Sequence, residues 1–323
     1  MRRREFMAVI GGAATTWPLG VRAQSTQKLR RIAFVHSGLP VEKITETGGT
    51  FWIRRFYEEL RALGHTEGTN LMIERLSAGG NTGRFAAVAA DVVSAGPEVI
   101  VSNSSEMVRT LMTATRTIPI VGIFGDPITG GLVLNLARPG GNLTGVSIDG
   151  GPGIPAKRLQ ILKETVPGAA KIVYLISAGA EVRRSIVPVA HKVLADVSEA
   201  QLRGAFAEMA DDKVDAVLMS ENGSFVAMRA FLAALAAQHR IPVIYAYREF
   251  AEAGGLMAYG PELGHLAKRM ADDVHQILNG AKPGDIPIDQ PTKYEMVLNL
   301  KAAKALSLAI PQAVLAQADE VIE

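Results

Sequence analysis

The sequence predicts an α/β protein built as two doubly wound parallel-sheet lobes joined by a hinge. Strand-length apolar runs alternate with stretches of helical periodicity along most of the 323 residues, a pattern typical of parallel sheets covered by helices on both faces. A segment rich in Gly and Pro at 149–155 interrupts this alternation near the middle of the chain. The chain length also suits two domains.

The N-terminal segment has the features of an export signal. Three arginines at Arg2–Arg4 precede an apolar run at Met7–Leu19 and a small-residue site at Val21–Ala23. The apolar run is shorter than the roughly 20 residues that span a bilayer. Arg3 and Arg4, with Phe6 close behind, resemble a twin-arginine signal; an amphipathic N-terminal helix of a cytosolic protein is the alternative. We expect a periplasmic or otherwise extracytoplasmic mature chain that does not insert into the membrane.

The first series of elements begins with the apolar run at Arg31–Ser37, which predicts a buried strand. A helical stripe runs from Ile53 to Leu63, and Gly64 is placed to end that helix. The series continues with a strand at Asn70–Leu76, a helix at Arg84–Ser94, a strand at Glu98–Val101, a helix around Met107–Met112, and strands at Ile118–Phe124 and Leu143–Ile148.

The alternation resumes after the break. The second series predicts helices at Ala156–Thr165, Ser198–Met209, Phe225–His239 and Leu263–Leu278 and from Lys301 onward, and strands at Lys171–Ile176, Ala216–Ser220, Pro242–Tyr247, Gly255–Tyr259 and Tyr294–Leu298. Only about 20 residues separate Ser177 from Ser198, which is short for a crossover helix and a strand. Ile186–Val189 is the candidate for a remnant strand, and we expect a second lobe trimmed near 178–197.

These patterns predict a division of the chain into three parts. We expect an export signal at 1–23, a first lobe at 28–148 plus 254–286, and a second lobe at 149–253 plus 287–323. The Pro-rich stretch at 282–291 is the predicted linker between the long helix and the last strand.

Composition and motifs exclude several classes of function. The 34 basic and 32 acidic residues leave no basic excess for nucleic acid. The absence of Cys excludes a disulfide framework, a thiolate metal site and a cysteine nucleophile. The six His have no paired metal-ligand spacing, and the chain has neither a P-loop nor a Gly-x-Ser-x-Gly motif. We therefore expect no metal, no cofactor and no enzymatic activity.

The two series contain matching segments, from Pro97 to Asp126 and from Asp215 to Glu249. In each, a strand ends in small polar residues, an Ile-Pro strand follows the next helix, and a carboxylate stands eight residues after that Ile. Ligands of open α/β sheets bind at the carboxyl ends of strands. We expect a ligand site formed by Ser37, Asn103, Ser104, Ser105, Asp126, Pro127, Glu221, Asn222, Tyr247, Glu249 and Tyr259.

These candidates also have structural alternatives. Asp126, which precedes Pro127, is placed either to accept a ligand ammonium or to form a turn. The residues Asn103–Ser105 precede a helix, where they suit either a ligand carboxylate or a helix cap. Tyr247 and Tyr259 suit either a pocket wall with a polar tip or the core.

The sequence resembles the ABC-transporter solute-binding protein family with the type I periplasmic-binding fold, most closely its branch of tryptophan- and tyrosine-type binders. The most specific matching segment is Gly125–Val146; the others are Leu63–Gly68, Arg248–Gly255, Gln290–Glu295 and Ala316–Glu323. The resemblance covers essentially the whole chain. It implies capture of a small solute between two lobes and its delivery to a membrane permease.

We expect the solute to be an amino acid or a related zwitterion or carboxylate. Asp126 would then hold the ammonium, the Asn103–Ser105 loop the carboxylate, and tyrosines the apolar side chain. Two alternatives stay open. The first is a periplasmic sensor that docks on a receptor, and the second, more remote, is a nucleotide-dependent α/β enzyme.

Overall fold

The computed structural model describes residues 29–151, 153–177 and 188–323. The predicted export signal at 1–23 and the proposed remnant strand up to residue 187 lie outside the described residues. The chain forms two sheets with flanking helices, so the predicted α/β class with two lobes is confirmed.

The first sheet contains five strands, all parallel, in the order β2-β1-β3-β4-β5. Their bounds are β1 Arg30–His36, β2 Leu71–Ser77, β3 Val99–Asn103, β4 Ile120–Phe124 and β5 Leu143–Ser147. Every residue of β3, β4 and β5 is buried. Burial on both faces explains why these strands are continuous apolar runs in the sequence.

The second sheet contains seven strands in the order β12-β11-β10-β9-β8-β6-β7. Their bounds are β6 Ile172–Ser177, β7 Ala190–Leu194, β8 Ala216–Met219, β9 Val243–Tyr245, β10 Met257–Pro261, β11 Tyr294–Asn299 and β12 Glu320–Ile322. Pairing is parallel except between β10 and β11.

Helices connect the strands and cover the sheets. Their bounds are α1 Phe51–Ala62, α2 Phe85–Ala95, α3 Ser105–Ala114, α4 Gly153–Thr165, α5 Glu199–Asp211, α6 Gly223–Ala227, α7 Arg229–Gln238, α8 Arg248–Glu252, α9 Leu263–Leu278, α10 Leu300–Ala305 and α11 Gln312–Leu315. Within the described part of the chain, none of these helices combines the length and apolar character needed to cross a membrane.

The chain passes between the two sheets three times. It leaves β5 for α4, leaves β10 for α9 through Glu262, and returns through Asp289 to β11. Helix α9 lies against α1 of the first sheet, although β10 before it pairs in the second sheet. The chain therefore reaches the first sheet again at α9, whereas our predicted first lobe resumes at 254. Backbone bonds join the passages, from Ser147 N to Asp289 O (2.8 Å) and from Glu262 N to Lys293 O (3.1 Å).

The second sheet and its helices differ from the sequence analysis in four places, one of which is the predicted helix from Lys301 onward: this region forms the short helices α10 and α11 and then strand β12. The expected single helix at Phe225–His239 is two helices, α6 and α7, that meet at Met228. Strand β7 pairs with β6 at the sheet edge and begins at Ala190, directly after the predicted Ile186–Val189. Only Leu194 of β7 is buried, so its sequence lacks apolar alternation. Helix α8 has five residues, too few for helical periodicity to be visible.

Candidate functional site

The carboxyl ends of the central strands of the two sheets lie against each other. A Cβ placed on Gly223, at the start of α6, would stand 3.3 Å from Nδ2 of Asn103, at the end of β3. A Cβ placed on Gly38, after β1, would stand 3.6 Å from Cβ of Ala227. Strands β3 and β4 and strands β8 and β9 are adjacent parallel pairs, so the two matching sequence segments do occupy corresponding places.

In the first lobe, Ser37 and Asn103 hold the ends of β1 and β3 together. The Ser37 backbone N–H donates to Oδ1 of Asn103 (2.8 Å), and Nδ2 of Asn103 donates to Oγ of Ser37 (3.0 Å). Both residues are buried. The side-chain amide of Asn103 thus completes the hydrogen bonding of two strand ends.

Ser104 and Ser105 lie at the start of α3. Oγ of Ser104 accepts from the Met107 N–H (3.3 Å), which is the capping alternative of the sequence analysis. The φ of Ser104 is 67°, which turns the chain sharply out of β3. Oγ of Ser105 accepts from the Gly125 N–H (3.1 Å) and so ties α3 to the end of β4. The binding role of Asn103–Ser105 stays a prediction.

The Asp126 carboxylate organises the turn after β4. Oδ1 accepts from the N–H groups of Ile128 (3.0 Å) and Thr129 (3.1 Å), and Oδ2 accepts from Oγ1 of Thr129 (2.6 Å). Pro127 is buried beneath this turn. Asp126 therefore does form the predicted Asp-Pro turn, and its role as an ammonium acceptor stays a prediction.

In the second lobe, Glu221 is ion-paired to Arg158, a residue that the sequence analysis missed. Nη2 of Arg158 lies 2.5 Å from Oε1 of Glu221, and Nε donates to the Tyr259 carbonyl (2.6 Å). Arg158 has no exposed surface, whereas the Glu221 side chain is 24% exposed. Burial works to lower the pKa of Arg158, but the adjacent Glu221 carboxylate raises it above its ordinary value.

A sequence signal for Arg158 does exist. Arg158, Ile161, Leu162 and Thr165 recur at helical spacing along α4, and all four are buried. A cation on the apolar face of a helix requires a buried counter-ion, and Glu221 is that counter-ion. The position of Arg158 could therefore have been identified as a paired buried charge.

Asn222, like Asn103, forms hydrogen bonds with both the nitrogen and the oxygen of its side-chain amide. Its Nδ2 donates to Oγ of Ser177 at the end of β6 (2.6 Å), and its Oδ1 accepts from the Ser224 N–H (2.7 Å) as the cap of α6. It thus joins the ends of β6 and β8 in the second sheet.

Three buried side chains at the ends of β8 and β9 carry polar atoms that have no hydrogen-bond partner among the described residues. These atoms are Oγ of Ser220, the hydroxyl of Tyr247, and both carboxyl oxygens of Glu249. Burial raises the pKa of Glu249 to about 7 and places the pKa of Tyr247 well above its ordinary value. Buried polar groups are normally satisfied in folded proteins, so these three side chains stand out from the rest of the described strand ends.

The remaining tyrosines differ in surroundings. Tyr259 is half-buried and stacks on Tyr294, with ring centroids 6.1 Å apart. Tyr245 is fully buried and stacks on Phe250, with ring centroids 4.6 Å apart, so its ring is part of the core. Among the described residues, no group of three or more His, Asp or Glu side chains is placed to hold a metal ion.

Two α/β lobes linked by three chain passages, with polar strand ends facing each other, define a two-lobed solute-binding protein. The sequence profile of the family described as "ABC transporter substrate binding protein" matches residues 52–322, and the chain belongs to this family. Its proteins bind solutes and are not enzymes, and they act outside the cytoplasm with a membrane transporter as partner.

The relatives come from several bacteria. The chain is 24% identical over 270 residues to the tyrosine-binding protein of Clostridioides difficile, covering 78% of this chain and 75% of that protein. A conserved domain protein from Vibrio cholerae superposes with a TM-score of 0.79 at 24% identity, covering 91% of this chain and 100% of that one. An ABC domain from Streptococcus pneumoniae in complex with L-Trp superposes at 0.77 with 21% identity, covering 91% and 99%. These structural likenesses extend the fold assignment to nearly the whole described chain.

Proposed function

We propose that this protein captures an amino acid between its two lobes outside the cytoplasm and delivers it to the permease of an ABC importer. Family membership supports a small-molecule ligand and a membrane transporter. The observation that carries the proposal is the convergence of polar strand ends from both sheets, with Asn103 of one lobe next to Gly223 of the other. Export through the twin-arginine-type signal at 1–23 is part of the same proposal.

The preferred ligand class is an α-amino acid, with an aromatic side chain first. A tyrosine-binding relative and an L-Trp-bound structural neighbour support this choice. The N-terminus of α3, capped by Ser104, suits a carboxylate because helix N-termini favour anions. An acidic side chain at a strand end, Asp126, Glu221 or Glu249, would take the ammonium. Tyr259, half-buried beside Tyr294, suits the apolar side chain of the ligand.

Capture would proceed by closure of the lobes about the three chain passages. Three short connections allow two rigid sheets to rotate while β10–α9 and β5–α4 stay continuous. In the closed arrangement the ends of β3 and β8 exclude water from the ligand headgroup. A ligand that touches both lobes then stabilises the closed form by its differential affinity for that form.

The first test is a thermal-shift panel on the chain from Gln24 onward, with amino acids, aromatic acids, nucleosides and sugars. A ligand present at about 100 times its dissociation constant adds about 2.7 kcal/mol to the free energy of unfolding. We expect a selective shift with L-tyrosine or L-tryptophan. A well-folded sample that responds only to sugars or nucleosides would refute the amino-acid ligand.

The assignment of the first lobe is tested by Asp126→Ala. If Asp126 contacts the ligand, this variant folds and loses most of its affinity for the amino acid. Because the carboxylate also caps the 126–129 turn, Thr129→Ala serves as a control, which loosens the turn and leaves the carboxylate in place. Unchanged affinity in Asp126→Ala removes Asp126 from the site.

A further inference from the structure

We propose that Glu249 is the group that receives the ligand ammonium and that it gives up a proton when the ligand enters. This inference rests on the proposed function and adds to it: the ligand must carry a cation, and its capture is linked to pH. The O–H bond of the Glu249 carboxyl breaks, the proton passes to the solvent buffer, and the ammonium takes its place as the positive partner of the carboxylate.

Glu249 is buried just after a central strand of the second sheet. It stands in the first turn of α8, directly after β9, and β9 is a central strand of the second sheet. Its side chain is about as buried as a core residue, with 2% of its surface exposed. No other residue of the described chain donates a hydrogen bond to either carboxyl oxygen, and the one donor that acts on them is the backbone N–H of Glu249 itself. A buried carboxylate without a cationic partner is disfavoured, so burial shifts Glu249 toward its neutral form when no cation is present.

The charged groups around Glu249 do not provide its carboxylate with a cationic partner. Arg229 of α7 is the basic residue that acts on it, but Nη1 of Arg229 is bound to the Val226 carbonyl (3.1 Å). Glu252 of α8 and Glu295 of β11 add negative charge on the other sides. Arg248 is engaged with both of these carboxylates and with Glu320.

Glu221 and Tyr247 complete the surroundings. Tyr247 is close enough to Glu221 and Glu249 for the charge of each to reinforce the rise in its pKa that burial causes. Arg158 already neutralises Glu221. A ligand ammonium that enters this cluster therefore finds its unmatched partner at Glu249.

The protonation behaviour agrees with the geometry. Burial, reinforced by Glu252 and Glu295, raises the pKa of Glu249 to about 7. Near neutral pH the free protein thus carries this proton part of the time, while the bound ammonium favours the ionised form. Affinity falls as the pH drops below 7, since a proton must then leave for each ligand bound. We expect affinity about tenfold weaker at pH 6 than at pH 8, where an amino acid keeps the same zwitterionic form.

The experiment is isothermal titration of the chain from Gln24 onward with L-tyrosine and with L-tryptophan. Each titration is repeated at pH 7 in two buffers that differ in ionisation enthalpy, and again at pH 6 and pH 8. We expect release of about half a proton per ligand at pH 7, from the pKa near 7. In Glu249→Gln we expect no proton release, an affinity independent of pH over this range, and at least roughly tenfold weaker binding at pH 8.

Two controls separate the possible failures. Glu208→Gln makes the same chemical change on the exposed side of the same lobe and should leave affinity and proton release as in the wild type. 3-(4-Hydroxyphenyl)propionate, which lacks the ammonium, should bind the wild-type protein more weakly than L-tyrosine. Amino-acid binding without proton release, or with release that persists in Glu249→Gln, overturns this inference and leaves the proposed function standing. A folded protein that binds neither amino acid overturns both.

Discussion

Polar side chains at the strand ends of the two lobes differ in whether they have hydrogen-bond partners. In the first lobe Ser37, Asn103, Ser105 and Asp126 hydrogen-bond to one another's strands and turns. In the second lobe Ser220, Tyr247 and Glu249 are buried with polar atoms that find no partner in the described chain. These strand-end groups of the first lobe have hydrogen-bond partners, whereas the second lobe holds unused hydrogen-bonding capacity. The difference motivates the proposal that the second lobe supplies most of the groups that recognise the ligand.

The largest expected effect comes from removing Arg158, the fully buried paired charge of the second lobe. In Arg158→Met, Glu221 loses its counter-ion and α4 loses its bond to β10. Breaking a buried pair from one side is expected to lower the free energy of unfolding by about 3 kcal/mol. Urea denaturation measures this change in the free energy of unfolding. The double variant Arg158→Met with Glu221→Gln should recover part of the lost stability. Lys163→Met, on the exposed surface of α4, is the control and should change the free energy of unfolding little. If Arg158→Met were as stable as the wild type, the pairing would be contradicted.

A smaller loss is expected in the first lobe from Asn103→Ala. The variant leaves the buried Ser37 N–H and hydroxyl without their partner, which costs about 2 kcal/mol. Asn135→Ala, where the lost side chain caps an exposed turn, is the matched control with a smaller loss. Thermal or urea unfolding decides, and a cost no greater than that of the control would show that the first lobe is less rigid than its hydrogen bonds imply.

Asp273 tests whether an unpaired buried carboxyl group costs stability away from the strand ends. It is fully buried in α9, and burial raises its pKa to about 8 from an ordinary 3.8. The native state therefore holds this proton at a pH where the unfolded chain has lost it, and stability falls as the pH rises from about 4 to 8. Asp273→Asn should be more stable at pH 8 by at least about 1 kcal/mol, with a smaller gain at pH 5. The same pH slope in both proteins would refute this.

The smallest effects compare two serines directly. Oγ of Ser102 donates to the Val35 carbonyl (3.0 Å), so Ser102→Ala should cost about 1 kcal/mol. Oγ of Ser220 has no partner in the part of the chain that the structure describes, so Ser220→Ala should leave the free energy of unfolding unchanged or slightly higher. Affinity for the amino acid should fall more in Ser220→Ala than in Ser102→Ala. Equal costs in the unfolding experiment would remove the contrast between the lobes.

Much of the fold was predictable because buried parallel strands are apolar throughout. Strands β1, β3, β4, β5 and β6 stand out for this reason. Strand β7 and the short helix α8 were missed, the first because its edge position leaves most side chains exposed and the second because five residues are too short to show a period. The division of Phe225–His239 into α6 and α7 lies at Met228, whose backbone ends one helix and begins the next.

The site was predictable in position but not in the state of each group. The alternation of strands and helices predicted polar residues at the carboxyl ends of the strands. It could not show that the Asp126 carboxylate is hydrogen-bonded within its own turn and that the Glu249 carboxylate is not. The difference depends on neighbours distant in sequence: Arg158 lies 63 positions before Glu221 along the chain but pairs with it in space. Such pairings belong to tertiary structure and leave only indirect traces, such as a cation on an apolar helix face.

The aromatic group around Trp52 has a practical consequence. The chain has two tryptophans, Trp17 and Trp52, and Trp17 lies in the predicted export signal, so the mature protein would carry a single indole. Trp52 is buried in α1, 5.8 Å from the Phe34 ring and 6.4 Å from the His36 ring, beside the end of β1. Burial lowers the pKa of His36 to about 3, so its charge is constant from pH 5 to 8. The emission of Trp52 therefore reports on the packing around the end of β1, unaffected by titration of its histidine neighbour.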